Sequence, residues 1–177
     1  MGAILLMMAV VVAGPGEVGD KVVEFARGSL GRKVGDGECT SLAAEALRFA
    51  GVRREAGGSW GDPVAQIRDA RPGDILQFEN ATFVQRRARP DGVVVKWTLW
   101  TPHHTAVVAA TAGRDRDFQM TLLHQNVHLP GTNAAEGKVV QEWTLSPSEM
   151  KAGTVKAFRP VPSRRPESGT GGPTIEP

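Results

Sequence analysis

The 177-residue sequence has one cysteine, no tyrosine and a nearly balanced charge. A single cysteine excludes an intramolecular disulfide framework and a cysteine-rich zinc module. The formal net charge of +2 is too small to indicate nucleic-acid binding, which requires clustered Lys and Arg. The sequence also lacks a glycine-rich phosphate-binding loop, so we expect neither a bound cofactor nor a nucleic-acid partner.

The length and the hydrophobic fraction of 41% fit a single domain with a sizeable core. Residues 3–13 form an apolar run that is too short to cross a bilayer, which takes about 20 residues. The run is typical of a secretory signal peptide, although no Lys or Arg precedes it; a buried first strand is the alternative. We therefore predict a signal peptide over 1–13, a secreted, periplasmic or cell-envelope location, and no stable membrane insertion after cleavage.

The remaining sequence predicts one domain over residues 14–160, because residues 161–177 are rich in Pro, Gly and Ser and predict a disordered tail. Apolar residues at helical spacing predict helices over 17–28 and 39–50, the second followed by Gly51. Two helices followed by about five short strands predict an α+β domain with an antiparallel sheet. The β-rich segments are 75–78, 93–100, 105–110, 118–127, 139–145 and 154–158.

Cys39 lies at the predicted N-terminus of the second helix, after a segment that contains Gly35 and Gly37. Unpaired backbone N–H groups and the helix dipole favour a thiolate at such a position. The alternative is that Cys39 is a small buried hydrophobic residue, as free cysteines usually are. Asp36 and Thr40 both suit the role of helix cap.

The histidines all follow the cysteine helix, at positions 103, 104, 124 and 128. A cysteine nucleophile needs a base within hydrogen-bonding distance, and the base needs a third group that orients its ring. His104 begins a β-rich run, which places it at the rim of the sheet. His124 and Asn126 share one face of the next strand, with Gln125 on the other face. Either His124 or Asn126 is therefore expected to orient His104.

A zinc site would be a competing use of these histidines. In a strand, His124 and His128 lie about 13 Å apart, which is too far to share one ion. His103 and His104 point to opposite faces of the sheet, and no acidic cluster completes a ligand set. We therefore predict no metal.

Several other polar and aromatic residues are interpreted as structural. Asp74 follows Pro72 and Gly73 and is interpreted as a turn residue. Arg86, Arg87 and Arg89 are interpreted as a solvated loop. Trp60, Trp97 and Trp100 either line a cleft or, as is more common for tryptophan, belong to the core.

Four segments in order resemble the papain-like peptidoglycan hydrolases, in particular CHAP domains and NlpC-type endopeptidases. The segments are GECTSL at 37–42, PGDILQF at 72–78, HTAVV at 104–108 and HQNV at 124–127. His124 is similar to the histidine that NlpC-type enzymes use as third residue, whereas CHAP domains usually have an acid there and an asparagine two positions on, here Asn126. NlpC-type enzymes favour Asp before the cysteine, and this chain has Glu38.

The resemblance implies a papain-like fold, with N-terminal helices packed on a central antiparallel sheet of five to six strands. It also implies a cysteine peptidase or amidase that cuts peptidoglycan stem peptides through a thioester. Cys39 would be the nucleophile, His104 the base, and His124 or Asn126 the orienting residue. Two alternatives stay open: an acyltransferase on the same scaffold, and a catalytically silent secreted binding module.

Overall fold

The computed structural model describes residues 15–53, 59–88, 91–129 and 133–162. Two helices are followed by six strands that form one antiparallel sheet, in the order β1-β6-β2-β3-β4-β5. This confirms the predicted α+β class. The elements are α1 Pro15–Gly28, α2 Cys39–Phe49, β1 Asp62–Val64, β2 Ile75–Ala88, β3 Val94–Ala112, β4 Gln119–His124, α3 Ala134–Gly137, β5 Gln141–Leu145 and β6 Met150–Arg159.

The helices α1 and α2 pack together on one face of the sheet. Pro15 is the first residue of α1, where its missing N–H would have no partner within the helix. Gly51 follows α2 with a left-handed φ of 77°, as expected for a residue just after a helix. The apolar stripes of both helices and the inner strands form one core, with Val18, Val22, Ala26, Leu42, Ala46, Ile75 and Val107 among its members.

The opposite face of the sheet carries a second core, so the central strands are buried on both sides. This core includes Phe78, Phe83, Ala106, Leu122 and Trp143. Successive side chains of a strand point to opposite faces, so neighbours along β3 and β4 belong to different cores. A shift of one residue therefore decides whether a side chain faces the helices or the second core.

The strands β2 and β3 form a hairpin that is much longer than the sequence predicts. The segments 75–78 and 93–100 are parts of two long strands, paired in one register from Ile75 with Val107 to Ala88 with Val94. Arg86 and Arg87 lie in β2 as exposed residues, which corrects the loop predicted for them. Phe78 and Phe83 both face the second core because the side-chain alternation shifts at Asn80, whose φ is 49°.

Asp74 links the turn before β2 to strand β6. Its carboxylate is 2% exposed and accepts hydrogen bonds from Nε and Nη2 of Arg159 at 3.0 and 2.9 Å. It also accepts one from the backbone N–H of Arg71 at 2.8 Å. Two parallel bonds to a guanidinium compensate the burial of the carboxylate. The predicted turn residue is therefore also the buried half of an ion pair.

The predicted signal peptide, 1–13, and most of the predicted tail, 163–177, lie outside the described residues. The proposed domain limits of 14 and 160 stay predictions. Within the described ranges, none of the helices combines the length and the apolar character needed to cross a bilayer.

Candidate functional site

Cys39 is the first residue of α2, as the sequence predicts. Glu38 precedes it in an extended conformation and makes no side-chain cap. The carboxylate of Asp36 accepts hydrogen bonds from the Glu38 N–H at 2.9 Å and from Oγ of Ser41 at 2.6 Å. Of the two expected caps, Asp36 therefore holds the entry to the helix, and Thr40 lies within it.

The thiol of Cys39 faces Thr105 on strand β3. Cys39 is half-buried, and burial raises the pKa of its thiol. Hydrogen bonds from the backbone and hydroxyl of Thr105 and from the Thr40 backbone act in the opposite direction, but they do not outweigh burial. The carboxylate of Glu38 also disfavours a thiolate. The helix start therefore does not produce the lowered pKa that is typical of a reactive cysteine.

His104 and His124 form a pair on the other side of the sheet. The distance from Nε2 of His104 to Nδ1 of His124 is 2.9 Å, and their rings meet edge to face. His104 is 5% exposed and His124 is fully buried. Both pack in the second core, where the ring of Trp143 stacks on His124 with centroids 5.5 Å apart. The predicted contact between these two histidines is present.

Burial holds both imidazoles in their neutral form. It lowers the pKa of His104 to about 4. It also lowers the pKa of His124 well below its usual value, with a smaller contribution from His104. Nε2 of His124 is buried and has no hydrogen-bond partner among the described residues. Leaving a buried N–H without an acceptor costs more free energy than leaving a ring nitrogen without a donor. We therefore expect the proton of His124 to be on Nδ1, which donates it to Nε2 of His104.

The alternation of β3 explains why His104 does not face the cysteine. Thr105 and Val107 point toward the helices, whereas His104 and Ala106 point into the second core. Within the described residues, Cys39 and His104 do not form a hydrogen bond with each other. This corrects the predicted geometry, because the imidazole lies one residue before the position that contacts the thiol. The catalytic roles themselves stay predictions until activity is measured.

Asn126 and Gln125 both contact the segment before the cysteine. Asn126 has a left-handed φ of 59° and donates from Nδ2 to the carboxylate of Glu38, instead of to a histidine ring. Nζ of Lys138 lies 2.6 Å from the other oxygen of that carboxylate. Gln125 is fully buried; its Nε2 donates to the carbonyls of Val34 and Glu38 at 2.8 Å each, and its Oε1 accepts from the Val34 N–H at 3.0 Å. The sequence places Gln125 on the face of the strand opposite to His124, but it does not indicate that this face meets the segment before Cys39.

Replacing Gln125 with Ala is expected to destabilise the domain by about 2–3 kcal/mol, because three backbone groups lose a buried partner. Urea unfolding followed by tryptophan fluorescence measures this change. Gln119→Ala, at an exposed position of β4, serves as the matched control and should change the free energy of unfolding by less than about 0.5 kcal/mol. Equal effects from the two variants would contradict the role of Gln125.

His103 and His128 are exposed beside a cleft of about 420 Å³. The cleft is lined by residues 98–104 of β3 on one side and by Asn126, Val127 and His128 on the other. Within the described ranges, no three His, Cys, Asp or Glu side chains come together as a metal-binding group. The four histidines therefore divide into a buried pair and two surface residues.

The six-stranded antiparallel sheet and the helix that begins at Cys39 fit an α+β fold of the cysteine-proteinase class. The chain belongs to the AIM3/BBC1 cysteine proteinase-fold domain family, whose profile matches residues 9–168. It is similar to Altered inheritance of mitochondria protein 3 of the yeast Debaryomyces hansenii, with 27% identity over 171 aligned residues. The alignment covers 86% of this chain and 17% of that protein, so the chain spans less than a fifth of the relative. No solved structure matches the chain significantly.

These comparisons correct the expected cell-wall role. The papain-like fold is supported, but the match is to a eukaryotic family and not to CHAP or NlpC-type domains. The predicted peptidoglycan hydrolase activity and the peptidoglycan or peptide substrate were therefore wrong. The predicted secreted or cell-envelope location is likewise not supported. The four short motifs indicated the fold but not the family, because one fold serves many unrelated functions.

Proposed function

We propose that this domain is a catalytically silent cysteine-proteinase fold that serves as a binding module. The observation that carries the proposal is that the thiol of Cys39 faces Thr105, while both buried imidazoles pair with each other on the opposite face of the sheet. A cysteine nucleophile requires a base that accepts its proton, and a threonine hydroxyl does not act as one at neutral pH.

The charge states of Cys39, His104 and His124 also support a catalytically silent domain. Burial raises the pKa of Cys39, so the thiol is protonated at pH 7. Burial also keeps His104 and His124 neutral, so neither supplies the positive charge that stabilises a thiolate. Hydrolysis and acyl transfer both begin with attack by the thiolate, so both need an activated thiol that these contacts do not provide. This argument favours the binding module over the acyltransferase.

The rate of iodoacetamide alkylation against pH tests this proposal on the native chain. Cys39 is the only cysteine, so the signal has a single source. We expect alkylation at pH 7 to be slower in the folded chain than in urea, and to keep increasing about tenfold per pH unit up to at least about pH 8.5, the value of a free thiol. A rate that is already at its plateau between pH 6 and 7 would contradict the proposal.

A second measurement addresses the catalytic roles predicted for Cys39, His104, His124 and Asn126. Hydrolysis of a fluorogenic peptide library is compared between the native chain and Cys39→Ala, with Ser59→Ala, at an exposed position of a loop, as the control. We expect no turnover that depends on Cys39. Hydrolysis that disappears only in Cys39→Ala would establish the nucleophile and overturn the silent-module proposal.

A further inference from the structure

Strand β3 has a free edge along most of its length. β2 occupies one side of β3, and β4 pairs with the other side only between Val107 and Ala112. Among the described residues, no strand pairs with β3 on that side from Val94 to Ala106. Along this stretch, the backbone N–H and C=O groups that point away from β2 therefore have no strand partner among the described residues. Such an edge is a template to which another strand adds.

The cleft beside β3 lies where the missing strand would run. β4 ends at His124, and the chain bends at Gln125 and Asn126, which are bound to the segment before Cys39. Consecutive residues of β3, 98–104, line the cleft. Since alternate side chains of a strand point to opposite faces, a cleft lined by consecutive residues runs along the edge and not over one face. Its volume is about 420 Å³.

The side chains beside this edge indicate the chemistry of its ligand. Trp100 is 63% exposed and Val94 is 61% exposed, so two apolar side chains of β3 are available for contact with a ligand. Arg86 and Lys96 are direct partners across the hairpin, and both are exposed. Neither has an ion-pair partner within the described ranges. Like charges placed directly opposite each other destabilise an antiparallel pair, and an acidic ligand would relieve that repulsion.

Protection against aggregation explains only some of the residues along this edge. Lysine and proline are common devices that keep edge strands from pairing, and β3 contains Lys96 and Pro102. Pro102 has no N–H, so it limits the usable edge to residues 94–101. An exposed tryptophan works against protection and fits a contact surface. A second copy paired at the same edge would bring two cationic hairpins together, so charge favours a different chain.

We propose that the edge of β3 from Val94 to Thr101 binds an extended, acidic segment of a partner protein as an additional strand. Hydrogen bonds between main chains hold the ligand, Trp100 contacts its apolar side chains, and the Arg86–Lys96 pair attracts its carboxylates. The inference rests on the proposed function, because it names the surface and ligand class of the binding module. The peptide is a ligand here and not a substrate.

Selection from a phage-displayed library of random twelve-residue peptides tests this surface on the full chain. We expect the selected peptides to be rich in Asp and Glu, with these acidic residues alternating with Val, Ile or Thr along each peptide. The best peptide should bind at least tenfold more weakly to Trp100→Ser and to Lys96→Glu. Lys151→Glu carries the same charge change at an exposed position of β6 and should leave the affinity unchanged.

Backbone N-methylation of the selected peptide separates strand addition from simple charge attraction. Methylating alternate amides on one edge of the peptide should abolish binding, whereas methylating those on the other edge should not, because only one edge faces β3. Backbone NMR shifts on binding should be largest in residues 94–104.

Three results would overturn the proposal: no selected peptide, peptides without acidic enrichment, or binding that is insensitive to Trp100 and Lys96. These results leave the alkylation rate of Cys39 unaffected. Failure of this surface is therefore distinguishable from failure of the silent-module proposal, which a reactive thiol would reveal.

Discussion

Acidification from pH 7 to pH 4 is expected to lower the free energy of unfolding by about 3 kcal/mol through His104 alone. Burial lowers the pKa of this imidazole to about 4 in the folded state, whereas the unfolded chain has the usual value near 6.5. Below pH 6.5 the unfolded chain therefore binds a proton that the folded chain does not. Stability from this source is complete above pH 6.5 and is lost as the pH falls toward 4. His124 acts in the same direction.

Urea unfolding at pH 7, 6, 5 and 4 measures this dependence. The double variant His104→Leu/His124→Leu removes both buried rings, so its stability should change much less over this range. His103→Leu/His128→Leu removes the two exposed histidines and should keep the pH dependence of the native chain. A native chain whose stability is flat from pH 7 to 4 would show that the buried pair accepts protons in the folded state.

Replacing Thr105 with His is expected to raise the alkylation rate of Cys39 at pH 7 about tenfold. The new imidazole would stand at the position that contacts the thiol, where it can accept the proton of Cys39. The resulting imidazolium–thiolate pair has no net charge, so burial disfavours it less than a lone imidazolium, and the pKa of Cys39 falls. A shift of about two units increases the thiolate fraction about a hundredfold, and the weaker nucleophilicity of a less basic thiolate reduces the net gain. Thr105 is buried, so we also expect a loss of about 1–3 kcal/mol in stability from overpacking.

Thr105→Gln is the matched control, because it adds a side chain of similar size that carries no titratable group. Its alkylation rate should stay close to that of the native chain. If Thr105→His and Thr105→Gln react at the same rate, position 105 does not face the thiol as the structure places it. If both react faster, loss of packing and not the imidazole exposes Cys39.

The local signals were sufficient to predict the cysteine helix over 39–50, although they left Asp36 and Thr40 as alternative caps at its start. Leu42 and Ala46 lie at helical spacing, and Gly51 follows the last turn, so the helix needs no tertiary information. The long hairpin was not predictable in the same way. The polar run at Arg86 and Arg87 looks like a loop, and only pairing with Lys96 and Val95 across the hairpin makes it a strand.

The face on which each histidine lies could not be predicted from residue order. Successive side chains of His103-His104-Thr105 point to opposite faces of the sheet. A shift of one residue therefore decides whether the imidazole of His104 or the hydroxyl of Thr105 faces the thiol. Since both faces of the sheet are buried, the apolar residues after His104 fit either register. Residue order left His124 and Asn126 as alternatives for the partner of His104; in the structure His124 makes the contact, whereas Asn126 donates to Glu38.

The ¹⁵N chemical shifts of the imidazole nitrogens test most directly whether any histidine accepts the proton of the Cys39 thiol. They report the protonation state of each ring, and spectra of the native chain and of Cys39→Ala are compared at pH 7. We predict neutral rings for His104 and His124 in both proteins, with unchanged shifts. A charged imidazolium in the native chain that becomes neutral in Cys39→Ala would demonstrate a thiolate–imidazolium pair and contradict the account.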